Sequence, residues 1–489
     1  MNWLLEGFVN LFNLNSLLIC FGAAFVGTMV GVLPGLGPGA SVALLFPFTM
    51  FMTPANALIA VGGIYYGAMF GGSITSILLN VPGEVASICT AIDGYPLAVQ
   101  GRSAQAIAIC ILSSFFGGMF SLTLLAFLGV AISKLAFMFG PFEYFTLMMF
   151  SICCAAGLGK GSLLKGFSSA ALGMLLAMVG VDTETAIFRF TYGHSALFAG
   201  IQVIALVVGI FGISEVMLGI QENAKSISSG IKYKTKWPSR REFQLAIPAA
   251  IKGALIGSFG GMLPGITPSS CTFLTYSIIK RTGKEKEKFG KGAIEGCAAV
   301  EAANNAAAMS GFIPLLTLGV PTTSLMAMTM SIMMIKGVIP GPTMFTTNIG
   351  ITGVVIAGFA LGNVICLILN LPLAGMWAKI AELPYKWLAP VILFLCVLGT
   401  MVINNSYIDL WVMVVFALIG VVAKKTGFCT PALIMGLILG SKLELYFRQC
   451  VVIGWDQLLM KPIALVIIGL MVIVVIVFQR SMKKTKEDQ

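Results

Sequence analysis

The chain has 489 residues, of which 58% are hydrophobic and 10% charged. Soluble domains carry about 25% charged residues, so this composition excludes a soluble globular protein and defines a polytopic membrane protein. The net charge of +11 would suggest nucleic acid in a soluble chain; here it reports basic loops on the cytoplasmic side, where Lys and Arg collect, and no nucleic-acid partner is expected.

No Lys or Arg precedes Arg102. The positive n-region of a signal peptide is therefore lacking, and the first apolar segment is expected to persist. The eleven cysteines are scattered without a CxxC pair and read as small packing residues. With His194 as the one histidine, a His-based metal site or catalytic triad is excluded. No Walker motif is present, so ATP does not drive the protein directly.

Residues 1–16 read as an amphipathic opening with Trp3 as an interface anchor. Residues 17–52 are apolar but interrupted. The interruption, at residues 27–38, reads Gly-Thr-Met-Val-Gly-Val-Leu-Pro-Gly-Leu-Gly-Pro, which regular helix cannot carry. Either two spans or a hairpin that enters and leaves on one side is consistent with it. Residues 55–79 form a Gly-rich span ending in a second break, Asn80-Val-Pro-Gly-Glu84. A segment at 86–100 and spans at 104–132, 137–158, 163–181 and 196–220 follow, each near the ~20 residues that cross hydrocarbon.

The basic stretch 221–242 divides a first half, 1–220, from a second, 243–489, and belongs in the cytoplasm. Residues 257–268 then repeat the first break, with six of twelve positions identical at an offset of 230. Basic loops flank this copy on both sides. Residues 292–318 lead to Gly319-Val-Pro-Thr-Thr-Ser324, which matches the break at residue 80 at an offset of 239. A short segment at 324–338, about five more spans over 349–478 and a basic tail complete the chain. The reading is all-α, with two repeats of inverted topology, interrupted helices or hairpins, and about twelve transmembrane segments. Paired interruptions of this kind mark the substrate site of a transporter.

Broken helices expose N–H groups and a positive dipole end at each N-terminus, suited to carboxylate, and carbonyls at each C-terminus, suited to Na⁺. Asn80, Pro82, Gly83, Pro321, Thr322, Thr323 and Ser324, with the amides of Asn304 and Asn305, are expected around the substrate. Gly35, Gly37, Gly265 and Thr267 are expected to ligate cations, with Na⁺ at Gly35, Gly265 and Thr267. Acidic groups at membrane depth are usually functional. Glu84 joins the substrate set, and it, Asp93, Glu295 and Glu301 are candidates to hold Na⁺ or a proton. Lys252 and Lys336 read as snorkelling side chains.

These motifs resemble the large membrane subunit of the tripartite tricarboxylate transporters, the TctA family. The resemblance rests on Gly31-Val-Leu-Pro-Gly-Leu-Gly-Pro38, Gly63-Ile-Tyr-Tyr-Gly-Ala-Met-Phe-Gly-Gly-Ser73, Ile77-Leu-Leu-Asn-Val-Pro-Gly83 and Asp93-Gly-Tyr-Pro96 in the first half. In the second half it rests on Gly261-Met-Leu-Pro-Gly265, Asn304-Asn-Ala-Ala-Ala308 and Ile313-Pro-Leu-Leu-Thr-Leu-Gly-Val-Pro321. It implies a multi-pass bacterial inner-membrane importer of carboxylates such as citrate, not an enzyme. It further implies Na⁺ or H⁺ symport, an elevator-like movement, a TctC-like periplasmic solute-binding protein and a TctB-like small membrane subunit. A carrier or channel for organic anions that works without a binding protein is the alternative.

Overall fold

The computed structural model describes residues 2–33, 37–157, 162–182, 184–222, 237–381, 385–404 and 406–487. The first half comprises α1 (Asn2–Leu11), α2 (Leu14–Gly31), α3 (Pro38–Leu45), α4 (Pro54–Leu79), α5 (Ile88–Val99), α6 (Ser103–Ala136), α7 (Pro141–Gly157) and α8 (Leu163–Ala177). Two short strands, β1 (Gly180–Val181) and β2 (Phe188–Arg189), pair antiparallel. Then α9 (Val203–Val207) runs through a π-helical turn, Val208–Ile213, into α10 (Ser214–Glu222). The second half comprises α11 (Arg240–Gly261), α12 (Pro268–Thr282), α13 (Ile294–Ser310), α14 (Phe312–Leu318), α15 (Ser324–Ile335), α16 (Ile349–Ala381), α17 (Tyr385–Asn404), α18 (Tyr407–Thr426), α19 (Thr430–Ile453) and α20 (Pro462–Glu487).

Among the described residues, eight helices are long and apolar enough to cross a membrane. The chain is an all-α polytopic membrane protein apart from the small strand pair. Other apolar helices are shorter. The 12 residues of α5 or α15 span about 18 Å, well under the ~30 Å of a hydrocarbon core.

Both interrupted segments return to the end from which they start. Their return arms, residues 38–51 and the 15 residues of α12, are about 24 and 22 Å long, short of the ~30 Å of hydrocarbon, so they read as hairpins. Ser16 Oγ donates to Asn56 Oδ1 at 2.7 Å, so the start of α2 lies beside the start of α4. The chain has therefore returned, through α3 and the 3₁₀ turn Phe46–Phe51, to the end from which it set out. In the second copy, Arg241 Nη2 donates to Glu285 Oε1 at 2.8 Å and Lys252 Nζ to Thr282 Oγ1 at 3.4 Å. The start of α11 and the end of α12 thus share one end. The bases of the two hairpins sit at different ends of the bundle. That of the second is tied to the C-terminal end of α5, through Arg102–Glu242 at 2.6 Å and Gln100 Nε2 to the Lys291 carbonyl at 2.8 Å. That of the first is tied to the end of α15, where Lys336 Nζ donates to the Met50 carbonyl at 2.7 Å.

Glycine makes these helices pack at backbone distance. A Cβ on Gly27 would lie 2.5 Å from the Ile64 carbonyl of α4, and one on Gly31 2.3 Å from that of Ala68. On the other hairpin, a Cβ on Gly257 or Gly261 would lie 2.3 Å from the carbonyls of Ala303 and Ala307 in α13. Contacts this close are open to residues without a side chain. The helices so enclosed, α4 and α13, are buried along nearly their whole length. The halves also interlock: Gly117 of α6 lies against the Ala302 carbonyl of α13.

The last span of the first half differs from its expected start at residue 196. Helix begins at Val203, because residues 180–200 form the strand pair and a 3₁₀ turn. Asp182 organises this excursion. Its Oδ1 accepts the N–H groups of Glu184 and Thr185 at 2.9 and 3.2 Å. Residues 223–236 of the basic stretch lie outside the described residues, as do Pro34, Gly35 and Leu36 of the first break.

The glycine seams give a stability test. Gly261→Leu is expected to destabilise the detergent-solubilised protein by at least about 1–3 kcal/mol, as overpacking does. Gly22→Ala, where no neighbour lies within 4 Å of the new Cβ, is expected to be neutral or stabilising by up to about 1 kcal/mol. Equal melting temperatures for the two variants would contradict the close-packed seam.

Candidate functional site

Four helix N-termini are created by the breaks, and the local sequence builds each. Gly37 precedes α3 with Pro38 at its first position, and Thr267 precedes α12 with Pro268 at its first. Proline is suited there, since its missing N–H has no helical partner to lose. The Thr267 Oγ1 accepts the Ser270 N–H, and the Thr323 Oγ1 accepts the Met326 N–H at the start of α15, both at 3.3 Å. Glu84 precedes the 3₁₀ turn Val85–Ser87 that feeds α5, and its N–H meets Ser87 Oγ at 3.4 Å.

The four termini line one cavity of about 430 Å³. Gly37, Pro82, Gly83, Glu84, Thr267, Thr323 and Ser324 all face it, from four segments far apart in sequence. Each terminus contributes free N–H groups and the positive end of a helix dipole, so the cavity is polarised to hold an anion. Tyr65 of α4 and Phe211 and Glu215 of the α9–α10 helix complete the wall. Lys424 of α18 forms an ion pair with Glu215.

The other sequence candidates lie around this cavity. Thr322 and Gly265 join the two breaks of the second half: the Gly265 N–H donates to the Thr322 carbonyl at 2.8 Å. Gly265 has φ +79°, and a Cβ there would collide with Cys154 of α7. Asn304 stands behind Glu84 and donates Nδ2 to Glu84 Oε1 at 2.7 Å. Asn305 Nδ2 reaches the Glu301 carbonyl at 3.4 Å. Asn80, left-handed at φ 56° and exposed, ends α4, and neither it nor Pro321 lines the cavity. Gly35 falls outside the described residues.

The acidic residues divide by partner. Asp93 Oδ1 accepts the N–H groups of Gly290, Gly292 and Ala293 at 2.7, 3.1 and 3.0 Å, which fixes the loop before α13. Glu295 accepts those of Lys284 and Glu285. Glu295 is thus occupied with backbone through both oxygens, and Asp93 through Oδ1, while Asp93 Oδ2 is buried without a hydrogen-bond partner among the described residues. Glu301 is fully buried and accepts hydroxyls from Thr90 and Ser114. Glu84 is 9% exposed. Among the described residues no Lys or Arg pairs with Glu84 or Glu301, so two carboxylates sit at depth without a cation. Asn304 Oδ1, Asn305 Oδ1 and Thr322 Oγ1 are buried oxygens without a hydrogen-bond partner. Neutral oxygens of this type suit a hard cation such as Na⁺.

Sequence reasoning missed Tyr65, Phe211 and Glu215. Glu215 carried a signal, as a lone carboxylate within an apolar span, and Tyr65 stands in the motif Gly63–Ser73.

Fold and site together define a polytopic membrane protein whose broken helices enclose an anion-polarised cavity. Residues 17–435 match the Tripartite tricarboxylate transporter TctA family, and the chain belongs to that family. It is a component of a tripartite transporter. Over 462 residues, 93% of this chain and 92% of the relative, it is 39% identical to an uncharacterized 52.8 kDa protein in the TAR-I ttuC′ 3′ region of Agrobacterium vitis. An uncharacterized protein in the TAR-II ttuC′ 3′ region of the same organism is 38% identical over 237 residues, 48% of this chain and 98% of that relative. No solved structure matches the chain.

Asn304→Leu would leave the Glu84 carboxyl without its donor. It is expected to cost about 1–3 kcal/mol, the penalty of an unpaired buried polar group. Glu84→Gln, which keeps an acceptor for Asn304, should stay within about 1 kcal/mol of the native protein. Melting curves in detergent compare the two; a harmless Asn304→Leu would remove the bond from the account.

Proposed function

We propose that this chain is the large membrane subunit of a binding-protein-dependent secondary transporter that imports di- and tricarboxylates across a bacterial inner membrane. The observation that carries this is the convergence of four helix N-termini on one cavity of about 430 Å³. That size suits a small molecule, and that polarity suits carboxylate groups. Gly37, Gly83, Thr267, Thr323 and Ser324 bind the substrate through free N–H groups and hydroxyls, and Pro82 shapes the wall beside them. Asn304 orients Glu84. A TctC-like periplasmic protein delivers the substrate, and a TctB-like small subunit completes the complex.

The two hairpin units are repeats of inverted topology. In support, the seam contact of Gly27 with Ile64 corresponds to that of Gly257 with Ala303, and that of Gly31 with Ala68 to that of Gly261 with Ala307. The hairpin residues differ by 230 and their partners by 239, the offsets of the two break motifs. Further support is the left-handed C-cap at both second breaks, Asn80 at φ 56° and Gly319 at φ 69°. The hairpins with α4, α5 and α13–α15 move as an elevator against the wall that carries Phe211 and Glu215.

Entry of an anion against the membrane potential costs about 2.3 kcal/mol per charge per 100 mV, so a di- or trivalent substrate needs at least two or three cations. Na⁺ is held by neutral oxygens, for which Asn304, Asn305, Thr322 and Thr267 are the candidates, and its charge offsets that of Glu84 and the substrate.

The test is uptake of labelled di- and tricarboxylates into proteoliposomes holding this chain and its small partner. Uptake is expected to require both the binding protein and an inward Na⁺ gradient. Glu84→Gln is expected to lower it at least tenfold. Uptake indifferent to Na⁺ and pH gradients would falsify the coupling, and uptake unchanged without the binding protein would instead support an autonomous carrier or channel.

A further inference from the structure

A second cavity, of about 470 Å³, lies at the other end of α15. Met334 and Ile335 in the last turn of α15 face it, whereas Ser324 and Leu325 in the first turn face the central cavity. Six residues of helix, about 9 Å, separate Leu325 from Ser331, the nearest α15 residue on the second cavity. The α9–α10 helix is shared in the same way, with Val203 on the second cavity and Phe211 and Glu215 on the central one. The cavities therefore lie in line along two common helices.

Three basic and three acidic side chains line the second cavity, and Lys442 pairs with none of the carboxylates. Arg189 pairs with Asp182 at 3.5 Å and Glu444 at 2.8 Å, and Arg448 pairs with the same two carboxylates at 2.6 Å each. The hydrogen bond from Arg448 holds the Asp182 carboxyl well below the usual carboxylate range, so this tetrad stays ionised and neutral overall. Glu184 also lines the cavity but is exposed to water. Lys442 also lines the cavity, is half-buried, and has no carboxylate or carbonyl partner among the described residues. An ammonium withdrawn from water without a counter-charge is costly, and a bound anion removes that cost.

The cavity opens away from the basic loops. Helices α8 and α19 lie side by side: the Cys429 N–H meets Ser169 Oγ at one end, and Ser441 Oγ meets the Ala177 carbonyl at the other. At the first end Lys165 bonds the Thr426 carbonyl, and Lys424 pairs with Glu215 on the helix that runs into the basic stretch. Lys and Arg collect on the cytoplasmic side, which places the Lys442 cavity toward the other.

We propose that this cavity is an outer binding site for a small carboxylate, with Lys442 as its counter-charge, occupied before the ligand passes along α15 to the central cavity. The inference rests on the carboxylate reading of the central cavity.

Ser441→Cys places a thiol at the exposed Ser441 position on the cavity wall, and all eleven native cysteines are buried. In vesicles, anionic sulfonatoethyl methanethiosulfonate is expected to react with it at least threefold faster than the cationic trimethylammonioethyl reagent. Adding Lys442→Gln should abolish that preference, and Lys442→Arg should keep it. In uptake, Lys442→Gln should raise KM about tenfold with maximal rate held, and Lys442→Arg should stay near native. A reagent preference that survives Lys442→Gln, or an unchanged KM, overturns the outer site. Millimolar succinate or citrate should slow the labelling in vesicles of neutral lipid. If phosphatidylglycerol in the vesicles slows the labelling and succinate and citrate do not, the ligand is a lipid headgroup and the carboxylate assignment falls. If the native protein takes up no carboxylate, the central-cavity reading fails, whereas the charge preference at Ser441→Cys still judges the Lys442 site.

Discussion

Backbone groups released at membrane depth have to find partners inside the protein, and the rest of this structure depends on how they do so. At the tip of the second hairpin the Gly265 N–H bonds the Thr322 carbonyl, so one break satisfies another. That contact needs the left-handed backbone of Gly265 and leaves no room for a side chain beside Cys154. The first half closes in a related manner, with Gly83 pressed against the Gly31 carbonyl at the end of α2. What these closures leave on the central cavity is four helix starts, two of them capped at one N–H by Thr267 and Thr323. Its polarity is therefore largely backbone polarity, produced by where the helices stop rather than by charged side chains.

Such closures require that the hairpins reach the interior, which the glycine seams permit. With α2 and α11 lying at backbone distance on α4 and α13, the breaks of each half fall at similar depth. The cost is that α4 and α13 are surrounded on all sides. Helices of that kind lack a polar face, and α13 accordingly holds its polar groups, Glu301, Asn304 and Asn305, entirely within protein.

The breaks were legible in the sequence because Gly and Pro inside apolar runs contradict helix. Gly37, Pro82, Thr267 and Thr323 were identified on that ground and stand on one cavity. The hairpin alternative was visible too, but the choice needed the lengths of the return arms, such as the 15 residues of α12. Features made by residues far apart were not legible. Phe211 and Glu215 reach the cavity from an uninterrupted apolar helix, and the tetrad on the strand pair joins Asp182 to Arg448, 266 positions later. Asp93 shows the same limit from the other side. Alone near a break it resembles an ion ligand, yet its partners are backbone groups 197 to 200 residues away, which no local pattern announces.

A cavity polarised for anions that also contains carboxylates carries its own coupling. Glu215 is neutralised by Lys424, whereas Glu84 has only the neutral amide of Asn304. On the anion reading of the cavity, a bound carboxylate and an ionised Glu84 repel across a medium of low dielectric, where such repulsion is strong. Substrate then favours whatever neutralises Glu84, a proton or a cation held on nearby oxygens. By linkage the neutralising ion favours substrate to the same degree. On that reading cation coupling needs no dedicated charged metal site, and among the described residues no cluster of acidic, Cys or His ligands forms one.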